Sequence, residues 1–284
     1  MDKPRILIVG GVAGGASAAT RARRMNEHAE IVMFEAGEYV SFANCGLPYY
    51  IGGQIADRKK LLIATPPYFR GTFNIDVRTG HEVTTIDRSG KRIEVLNKAT
   101  GERTWERYDK LILSPGASPI VPAWDGVRAA NVFTLRDVAD TDRIKAYVDE
   151  HKPQQAAIVG AGYIGLEMVE ALIECGVKVS VVELQPQVLP LFDVEMAREV
   201  QIVLRQRGVE LHLGRTVENL VVADDRVGAV RLASGGDLPA DMVLLSIGVR
   251  PNIKLAADAG LTIGASGAIA VNAYSQTNDP DIYA

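Results

Sequence analysis

The most constraining feature of the sequence is a strand, a glycine-rich turn, a helix and a second strand that occur in this order twice. The first copy surrounds the turn Gly10–Gly15, and its second strand is apolar and ends at Glu35. The second copy surrounds the turn Gly160–Gly165, and its second strand ends at Glu183. This order of apolar runs, turn and helical pattern predicts a βαβ unit in each copy.

The turns themselves indicate what each unit binds. Glycine permits the tight bend, lets the backbone approach a pyrophosphate and packs the helix close to the strand. The helix N-terminus then presents unpaired N–H groups and a positive dipole end to phosphate. The second copy is complete, with Gly160, Gly162 and Gly165, whereas the first has Val12 at the middle position. Packing alone could explain one such turn, but two copies, each with an acid about 20 residues on, favour nucleotide binding.

The acid that closes each unit bears on which nucleotide is bound. A glutamate there can accept hydrogen bonds from a ribose diol and would repel a 2′-phosphate, so Glu183 favours NADH over NADPH. The predicted fold class is therefore α/β, with two Rossmann-like nucleotide-binding domains. Between Val77 and Trp105, alternating apolar segments predict a small antiparallel sheet with a turn at Ser89-Gly90.

Composition argues against several other classes of protein. A net charge of −4 without a basic stripe argues against nucleic acid as a partner. No apolar run approaches the roughly 20 residues of a membrane-spanning helix, so no membrane association is expected. A chain of 284 residues can bury a core without disulfides or a metal ion. The two cysteines, Cys45 and Cys175, fit a reducing compartment, and the cytoplasm is the predicted location.

Cys45 is the candidate redox residue. Pro48 suits the first turn of a helix and Asn44 is a plausible N-cap, which would place the sulfur near a helix N-terminus and favour the thiolate. Most cysteines are small buried thiols, and this structural role is assigned to Cys175. Position 50 is Tyr50, so no second cysteine is present to form an internal disulfide. Cys45 would therefore form a mixed disulfide with a small thiol or cycle through a sulfenic acid.

The segment Ser41–Tyr49 around the cysteine is the most specific of several motifs that follow one another along the whole chain. The others are Gly10–Gly15, Leu113–Ala117, Gly160–Glu167, Gly248–Asn252 and Thr277–Ala284. Together they resemble the single-cysteine branch of the FAD-dependent pyridine nucleotide–disulfide oxidoreductases, closest to coenzyme A disulfide reductases and NADH-dependent persulfide reductases. A valine at the middle of the first turn is also usual in this branch.

The resemblance implies the domains and the cofactors. Residues 1–119 and 249–284 would form an FAD-binding domain, and residues 120–248 an NADH-binding domain inserted in it. Electrons would pass from NADH through FAD to a disulfide between Cys45 and the substrate. Tyr163 would be an aromatic gate over the nicotinamide pocket, with Glu167 nearby, and Arg136 would approach the flavin. The cofactor-binding positions implied are Gly10, Val12, Ala13, Gly14, Gly15, Glu35, Ala36, Asn44, Val83, Ser114, Gly116, Arg136, Gly160, Gly162, Tyr163, Ile164, Gly165, Glu167, Glu183 and Gly248.

A group of residues after the first turn bears on the substrate. Ser17, Arg21 and Arg24 have helical spacing and share one face, which a solvated basic surface would also explain. The resemblance favours coenzyme A (CoA), because the family's CoA contacts match these positions together with Ser41 and Asn44, and guanidiniums suit phosphate. Phe73 stands where some CoA reductases carry a lysine, so the match is weaker at the nucleotide end of CoA.

Three functions remain open at this point. The first is reduction of CoA disulfide or CoA persulfide, the second an NADH oxidase or peroxidase with Cys45 as sulfenic acid, and the third a non-catalytic dinucleotide-binding module. In the family, the motif ending at Ala284 is followed by a Gly-Asp pair that holds the flavin and by a dimerisation domain. A homodimer is therefore expected of the full-length protein, and the 284 residues alone are expected to bind FAD weakly.

Overall fold

The structure, a computed structural model, describes residues 3–284. The strands are β1 (Arg5–Val9), β2 (Glu30–Glu35), β3 (Asp76–Thr79), β4 (His81–Asp87), β5 (Arg92–Asn97), β6 (Arg103–Arg107), β7 (Lys110–Leu113), β8 (Ala117–Pro119), β9 (Val132–Phe133), β10 (Gln155–Val159), β11 (Lys178–Glu183), β12 (Glu210–Leu213), β13 (Val217–Ala223), β14 (Arg226–Leu232), β15 (Asp237–Pro239), β16 (Met242–Leu245), β17 (Val249–Pro251) and β18 (Ile282–Tyr283). The α-helices are α1 (Gly14–Met25), α2 (Leu47–Ile51), α3 (Pro66–Phe73), α4 (Val138–His151), α5 (Tyr163–Glu174), α6 (Val194–Gln206) and α7 (Lys254–Asp258). Short 3₁₀ turns cover Asn44–Gly46 and Arg58–Leu61.

The chain divides into two compact units. Unit one comprises the chain up to Ala43, Leu62–Ala117 and Pro251–Ala284, and unit two comprises Asn44–Leu61 and Ser118–Arg250. This division differs from the domains expected from the sequence at Asn44–Leu61, because α2 in that segment packs on α4 and α5 of unit two. The functional domain boundaries themselves stay a prediction.

Unit one is built on a parallel sheet of five strands in the order β18-β7-β1-β2-β3. Ile8, on one face of β1, packs with Phe69 of α3 and small residues of α1. Leu7, on the other face, packs with Ile93 of the antiparallel sheet β4-β5-β6. Both faces are covered, which explains why the predicted strands are almost continuously apolar.

Unit two repeats this plan. Its parallel sheet has the order β12-β11-β10-β16-β9, with β10 between β11 and β16. A second, antiparallel sheet, β13-β14-β15, covers one face through a shared core that includes Val159, Val230 and Val243. In both units, parallel strands end at one edge of the sheet, and the glycine turns lie at that edge.

The predicted α/β architecture is confirmed, with both βαβ units present. Strand β2 ends at Glu35 as predicted, and helix α1 ends at Met25, where Asn26 caps it. The antiparallel excursion of unit one is also confirmed, with its turn between β4 and β5. The equivalent sheet of unit two was not predicted. Among the described residues, no helix has the length and apolar character needed to cross a bilayer, and no cluster of His, Cys, Asp and Glu side chains suits a metal ion.

One buried amide joins the two sheets of unit two. Asn131 is 1% exposed, and its Nδ2 donates to the carbonyl oxygens of Val227 at 2.9 Å and Asp241 at 2.7 Å. Its Oδ1 accepts from the Val227 N–H at 2.8 Å. We expect Asn131→Ala to lower the free energy of unfolding by about 2–4 kcal/mol, because three backbone groups lose their partner in a dry site.

Urea unfolding measures this effect, and Asn219→Ala is the matched control. Asn219 lies half-buried on β13, and its side chain makes no hydrogen bond among the described residues. The control should change the free energy of unfolding by less than about 0.5 kcal/mol. Equal effects of the two substitutions would contradict a structural role for the Asn131 amide.

Candidate functional site

The first glycine turn follows β1 at the carboxyl edge of its sheet. Gly10 has φ of 90°, and a Cβ there would lie 2.0 Å from the carbonyl oxygen of Ser114. A Cβ on Gly15 would lie 1.7 Å from the carbonyl oxygen of Gly10, and one on Gly14 would lie 2.9 Å from Ser114 Oγ. The turn therefore requires glycine for its dihedral angle at Gly10 and for close packing of α1 on β1 at Gly15.

The second glycine turn has the same construction. Gly160 has φ of 104°, and a Cβ there would lie 2.4 Å from the carbonyl oxygen of Ser246. A Cβ on Gly165 would lie 2.1 Å from the carbonyl oxygen of Gly160, whereas one on Gly162 would meet no atom within 4 Å. The middle glycine therefore faces open space, as expected where a ligand approaches the backbone.

Ser246 is a turn residue that the sequence analysis missed. Its Oγ donates to the carbonyl oxygens of Val159 at 3.2 Å and Gly160 at 2.9 Å. It occupies the position in unit two that Ser114 occupies in unit one, at the end of the strand next to the turn. The signal was present in the sequence, since β7 and β16 both end in leucine and are both followed by serine.

The acid at the end of each second strand braces the turn beside it. Glu35 Oε2 accepts from the Gly11 N–H at 2.7 Å, and its Oε1 accepts from the Gly37 N–H at 2.7 Å. Glu183 Oε2 accepts from the Ala161 N–H at 2.7 Å, and its Oε1 accepts from the Gln185 N–H at 2.8 Å. Glu183 is only 8% exposed. The role of these acids at the ribose, expected from the sequence, stays a prediction.

The helices that follow the turns begin without side-chain caps. Helix α1 starts at Gly14 and α5 at Tyr163, and neither has a capping side-chain hydrogen bond or an acid in its first turn. Their first N–H groups therefore remain available to an anion, and the dipole favours one. The small residues and free N–H groups of both turns fit the pyrophosphate of a dinucleotide, and in unit two the open space over Gly162 adds to this fit.

The remaining predicted cofactor residues of unit one differ in what they can offer. Ala13 is exposed and Val12 half-buried in the turn. The Ala36 carbonyl accepts from Lys98 Nζ at 3.2 Å. The side chain of Val83 is 8% exposed and lies in the core, so only its backbone could reach a ligand. Gly116 has φ of 71° in the segment after β7.

In unit two, three predicted residues besides Gly165 lie along α5. Tyr163 is 60% exposed and its ring meets that of Phe192 edge-on, with 6.1 Å between the centroids. Ile164 is 40% exposed. Glu167 is half-buried, and burial, with a smaller contribution from Glu170, raises the pKa of its carboxyl above the ordinary value. An exposed aromatic ring and a carboxyl of raised pKa on one helix suit a ligand-facing surface.

Two further predicted residues of unit two lie in connecting segments. The Arg136 N–H donates to Asp140 Oδ2 at 2.9 Å, so its backbone is held at the start of α4. Gly248 has φ of 106°, and its carbonyl oxygen accepts from the Ile120 N–H at 2.9 Å. Their assignment to the cofactors stays a prediction.

Cys45 is a free, exposed thiol. It lies in the 3₁₀ turn Asn44–Gly46, which runs directly into α2. The prediction that Asn44 is the N-cap was wrong: Gly46 is the N-cap, because the turn extends to the residue before the helix, and no side chain caps it. The prediction that Pro48 lies in the first turn of the helix is confirmed.

Cys175 has a different environment. It is half-buried, and its Sγ donates to the carbonyl oxygen of Ile51, 3.4 Å away, at the end of α2. Burial raises the pKa of this thiol, which therefore stays protonated. A protonated, hydrogen-bonded sulfur agrees with the structural role predicted for Cys175, although the sequence offered no sign of its partner.

The segment that leads to Cys45 is tied to the first glycine turn. The Ser41 N–H donates to the carbonyl oxygen of Gly11 at 3.0 Å, and the Ser41 carbonyl accepts from the N–H groups of Ile63 at 3.0 Å and Ala64 at 3.3 Å. Ser41 has φ of 47°, a left-handed conformation that this network maintains. The predicted substrate residue Ser41 therefore lies beside the turn of unit one.

The three predicted CoA residues of α1 are all exposed. The side chains of Ser17, Arg21 and Arg24 make no hydrogen bond or ion pair with other residues in the range 3–284. Arg23, between them in sequence, is instead used within unit one, and it donates to the carbonyl oxygens of Phe73 at 2.7 Å and Asn74 at 2.8 Å. Helix α1 therefore carries one arginine that binds backbone carbonyls, Arg23, and two whose side chains are available to a ligand, Arg21 and Arg24.

Comparison with known proteins places these features in a family. A family model described as pyridine nucleotide-disulphide oxidoreductase matches residues 4–284. A coenzyme A disulfide reductase from Staphylococcus haemolyticus (strain JCSC1435) is 37% identical over 280 residues, which are 99% of this chain and 62% of that relative.

Two solved structures show the same fold at full length of the chain. Reduced CoADR-RHD of Bacillus anthracis has a TM-score of 0.96 at 50% identity, and the match covers 100% of this chain and 50% of that one. A NAD-dependent persulfide reductase from A. fulgidus has a TM-score of 0.94 at 39% identity, with 98% of this chain and 52% of that one covered.

The chain therefore spans less than two thirds of the length of these relatives. The range matched by the family model, residues 4–284, includes both glycine turns, both bracing acids and the segment around Cys45. The chain belongs to the pyridine nucleotide-disulphide oxidoreductase family.

Proposed function

We propose that this chain is the FAD- and NADH-binding part of an enzyme that reduces CoA disulfide or CoA persulfide through Cys45. The observation that carries the proposal is an exposed free thiol only four residues after Ser41, which is hydrogen-bonded to the first glycine turn. Chain geometry alone keeps the two Cα atoms within about 14 Å of each other. The relatives named as coenzyme A disulfide reductase and persulfide reductase support this chemistry.

The residues that would hold the cofactors follow from the two turns. The N–H groups at the start of α1 would bind the FAD pyrophosphate, and Glu35 its ribose. The equivalent groups at the start of α5, with Glu183, would bind NADH. When bound, FAD accepts the hydride that NADH supplies and passes two electrons to a disulfide. A carboxylate at position 183 disfavours the 2′-phosphate of NADPH.

Cys45 would carry out the exchange with substrate. Its thiolate attacks one sulfur of the disulfide, the S–S bond breaks, and one thiolate leaves with the electron pair and takes up a proton. A mixed disulfide between Cys45 and the other half of the substrate remains. Two electrons and a proton then release the second thiol and restore the Cys45 thiolate, with NADH oxidised to NAD⁺. The exposed position of Cys45 leaves room for a bulky thiol substrate, whereas reduction of peroxide would call for a closed pocket around the cysteine.

Steady-state NADH consumption tests the proposal against its alternatives. CoA disulfide, CoA persulfide, hydrogen peroxide and air-saturated buffer are compared as acceptors for the full-length enzyme loaded with FAD. We expect one of the two CoA acceptors to give a kcat/KM at least about tenfold above that with peroxide or oxygen. The opposite ranking would favour an oxidase or peroxidase that uses a Cys45 sulfenic acid.

The exposed arginines of α1 provide a test of the substrate class. We expect Arg21→Gln/Arg24→Gln to raise KM for CoA disulfide about 10–100-fold, because two charge-assisted contacts to phosphate are lost. The reaction with a small disulfide that carries no phosphate should be unchanged. Initial rates over a range of each substrate measure both effects.

The matched control is Arg198→Gln/Arg205→Gln. These arginines are also exposed on one helix, α6, and make no hydrogen bond or ion pair in the described part of the chain. The control should leave KM for CoA disulfide within about twofold of the wild-type value. An equal rise in both double variants would indicate a general charge effect and refute specific recognition by α1.

The setting of the whole enzyme is also part of the proposal. We place it in the cytoplasm, a reducing compartment that would keep Cys45 as a thiol. We expect a homodimer for the full-length protein, as the resemblance to the single-cysteine branch implies. Sedimentation at micromolar concentration distinguishes a dimer from a monomer.

A further inference from the structure

The short helix that follows Cys45 is firmly packed inside unit two. Leu47 and Ile51 on α2 are 2% and 0% exposed, and α2 packs on both α4 and α5. Cys45 lies in the 3₁₀ turn that runs without a break into this helix. Any displacement of α2 therefore displaces the sulfur of Cys45.

Gly52, directly after α2, lies close to the backbone of α5. Its φ of −73° and ψ of −7° are open to any residue, so the backbone conformation does not require glycine. A Cβ at this position would lie 2.9 Å from Ala171 Cα and 3.2 Å from Ala171 Cβ on α5. It would also lie 2.5 Å from Gln54 Oε1, the end of a flexible side chain that can turn away. The backbone of α5 is thus the obstacle that excludes a side chain.

A second attachment lies at the other end of the same segment. Arg58 Nε donates to Asp142 Oδ1 at 2.7 Å, and a second guanidinium nitrogen donates to Oδ2 at 2.6 Å, which forms a bidentate pair between the second 3₁₀ turn and α4. The segment Asn44–Leu61 is therefore held at two points on the helices of unit two. Helix α5 itself starts at the second glycine turn.

We propose that Gly52 and the Arg58–Asp142 pair are positioning elements for Cys45, because they fix α2 against the helix that begins at the candidate NADH turn. The proposal deepens the proposed function, since it rests on Cys45 as the redox residue. The proposal depends on the distance between two helices, because α2 can lie this close to α5 only while residue 52 has no side chain. A shift of a reacting group by about 1 Å can cost about 10²-fold in rate.

The main test is Gly52→Ala, measured with three readouts on the full-length enzyme with FAD. We expect kcat with CoA disulfide to fall about 10–100-fold while NADH-driven reduction of a dye, which does not need Cys45, stays within about twofold. The rate at which iodoacetamide alkylates Cys45, followed by peptide mass spectrometry over a range of pH, should change at least about threefold.

The matched control is Gly71→Ala. Gly71 lies inside α3, and a Cβ there would meet no atom within 4 Å. This variant should match the wild type in all three readouts. Alkylation needs no enzymatic activity, so it tests positioning even if the wild type proves unable to reduce disulfides. A Gly52→Ala protein with wild-type alkylation and wild-type kcat would overturn the proposal.

A charge-swap series keeps the proposal testable if Gly52→Ala does not fold. Arg58→Asp and Asp142→Arg should each lower kcat with CoA disulfide about two- to fivefold and alter the alkylation rate, because each breaks the bidentate pair. The double variant, which restores opposite charges, should recover at least half of the loss. Single variants without effect, or a double variant no better than the singles, would refute a positioning role for this pair.

Discussion

Replacement of Cys45 by serine is expected to lower NADH-driven reduction of CoA disulfide by a factor of about 10³ or more. The reason is chemical, since a serine hydroxyl does not attack a disulfide sulfur as a thiolate does. We expect the nucleotides still to bind at both glycine turns, but without the thiol no mixed disulfide with the substrate forms. Initial rates with saturating NADH and FAD-loaded enzyme measure the loss.

Two controls separate this loss from damage to the fold. NADH-driven reduction of a dye by the Cys45→Ser enzyme should stay within about twofold of the wild-type rate, because it requires only the nucleotide sites. Cys175→Ser should retain disulfide reduction, since a hydroxyl can donate to the Ile51 carbonyl as the thiol does. If Cys45→Ser kept more than a tenth of the wild-type rate, the chain would be better described as a dinucleotide-binding module with a structural cysteine.

The second large effect is expected at Gly15. A Cβ on this residue would lie 1.7 Å from the carbonyl oxygen of Gly10 and 3.1 Å from Ile8 Cγ2. Both neighbours belong to the turn and strand beneath α1, so the helix would have to move off the sheet. We expect Gly15→Ala to lower the free energy of unfolding by about 3 kcal/mol or more. FAD affinity should fall at least about 100-fold, because the N–H groups of α1 no longer converge on the pyrophosphate.

Thermal unfolding and the amount of FAD retained on purification, both for the full-length enzyme, measure these two effects. Gly71→Ala carries the same chemical change at a position with open space and should stabilise α3 by up to about 1 kcal/mol. Gly165→Ala, whose Cβ would lie 2.1 Å from the Gly160 carbonyl oxygen, should damage NADH binding in the same manner. A Gly15→Ala protein with normal stability and normal flavin content would show that the turn is not built as described.

Sequence patterns predicted the parts of the fold in which local and tertiary preferences agree. The strand before Gly10 is buried on both faces, so its apolar run is visible without knowledge of its partners. The sheet β13-β14-β15 escaped prediction, although it covers unit two as β4-β5-β6 covers unit one. Its strands contain exposed and half-buried positions together, which weakens their alternation.

Features of the site that depend on tertiary contacts were the least predictable. Asn44 has the chemistry of an N-cap, but the 3₁₀ turn that precedes α2 moves the cap to Gly46. In sequence, Gly52 resembles any glycine at the end of a helix, and only the nearby backbone of α5 shows that a side chain would not fit there. Arg23 and Arg24 are neighbours in sequence, yet only Arg23 meets backbone carbonyls. No pattern in one sequence distinguishes such cases.

The paired acids Glu35 and Glu183 have a consequence for how ligands arrive. Each carboxylate accepts hydrogen bonds from two loop N–H groups, so groups of the protein itself hold the chain around each turn. A dinucleotide then meets a rigid cradle, and little of its interaction energy is spent on immobilising flexible backbone. At the Glu183 turn we therefore expect rapid exchange between oxidised and reduced nicotinamide, because neither binding nor release requires these loops to unfold and refold.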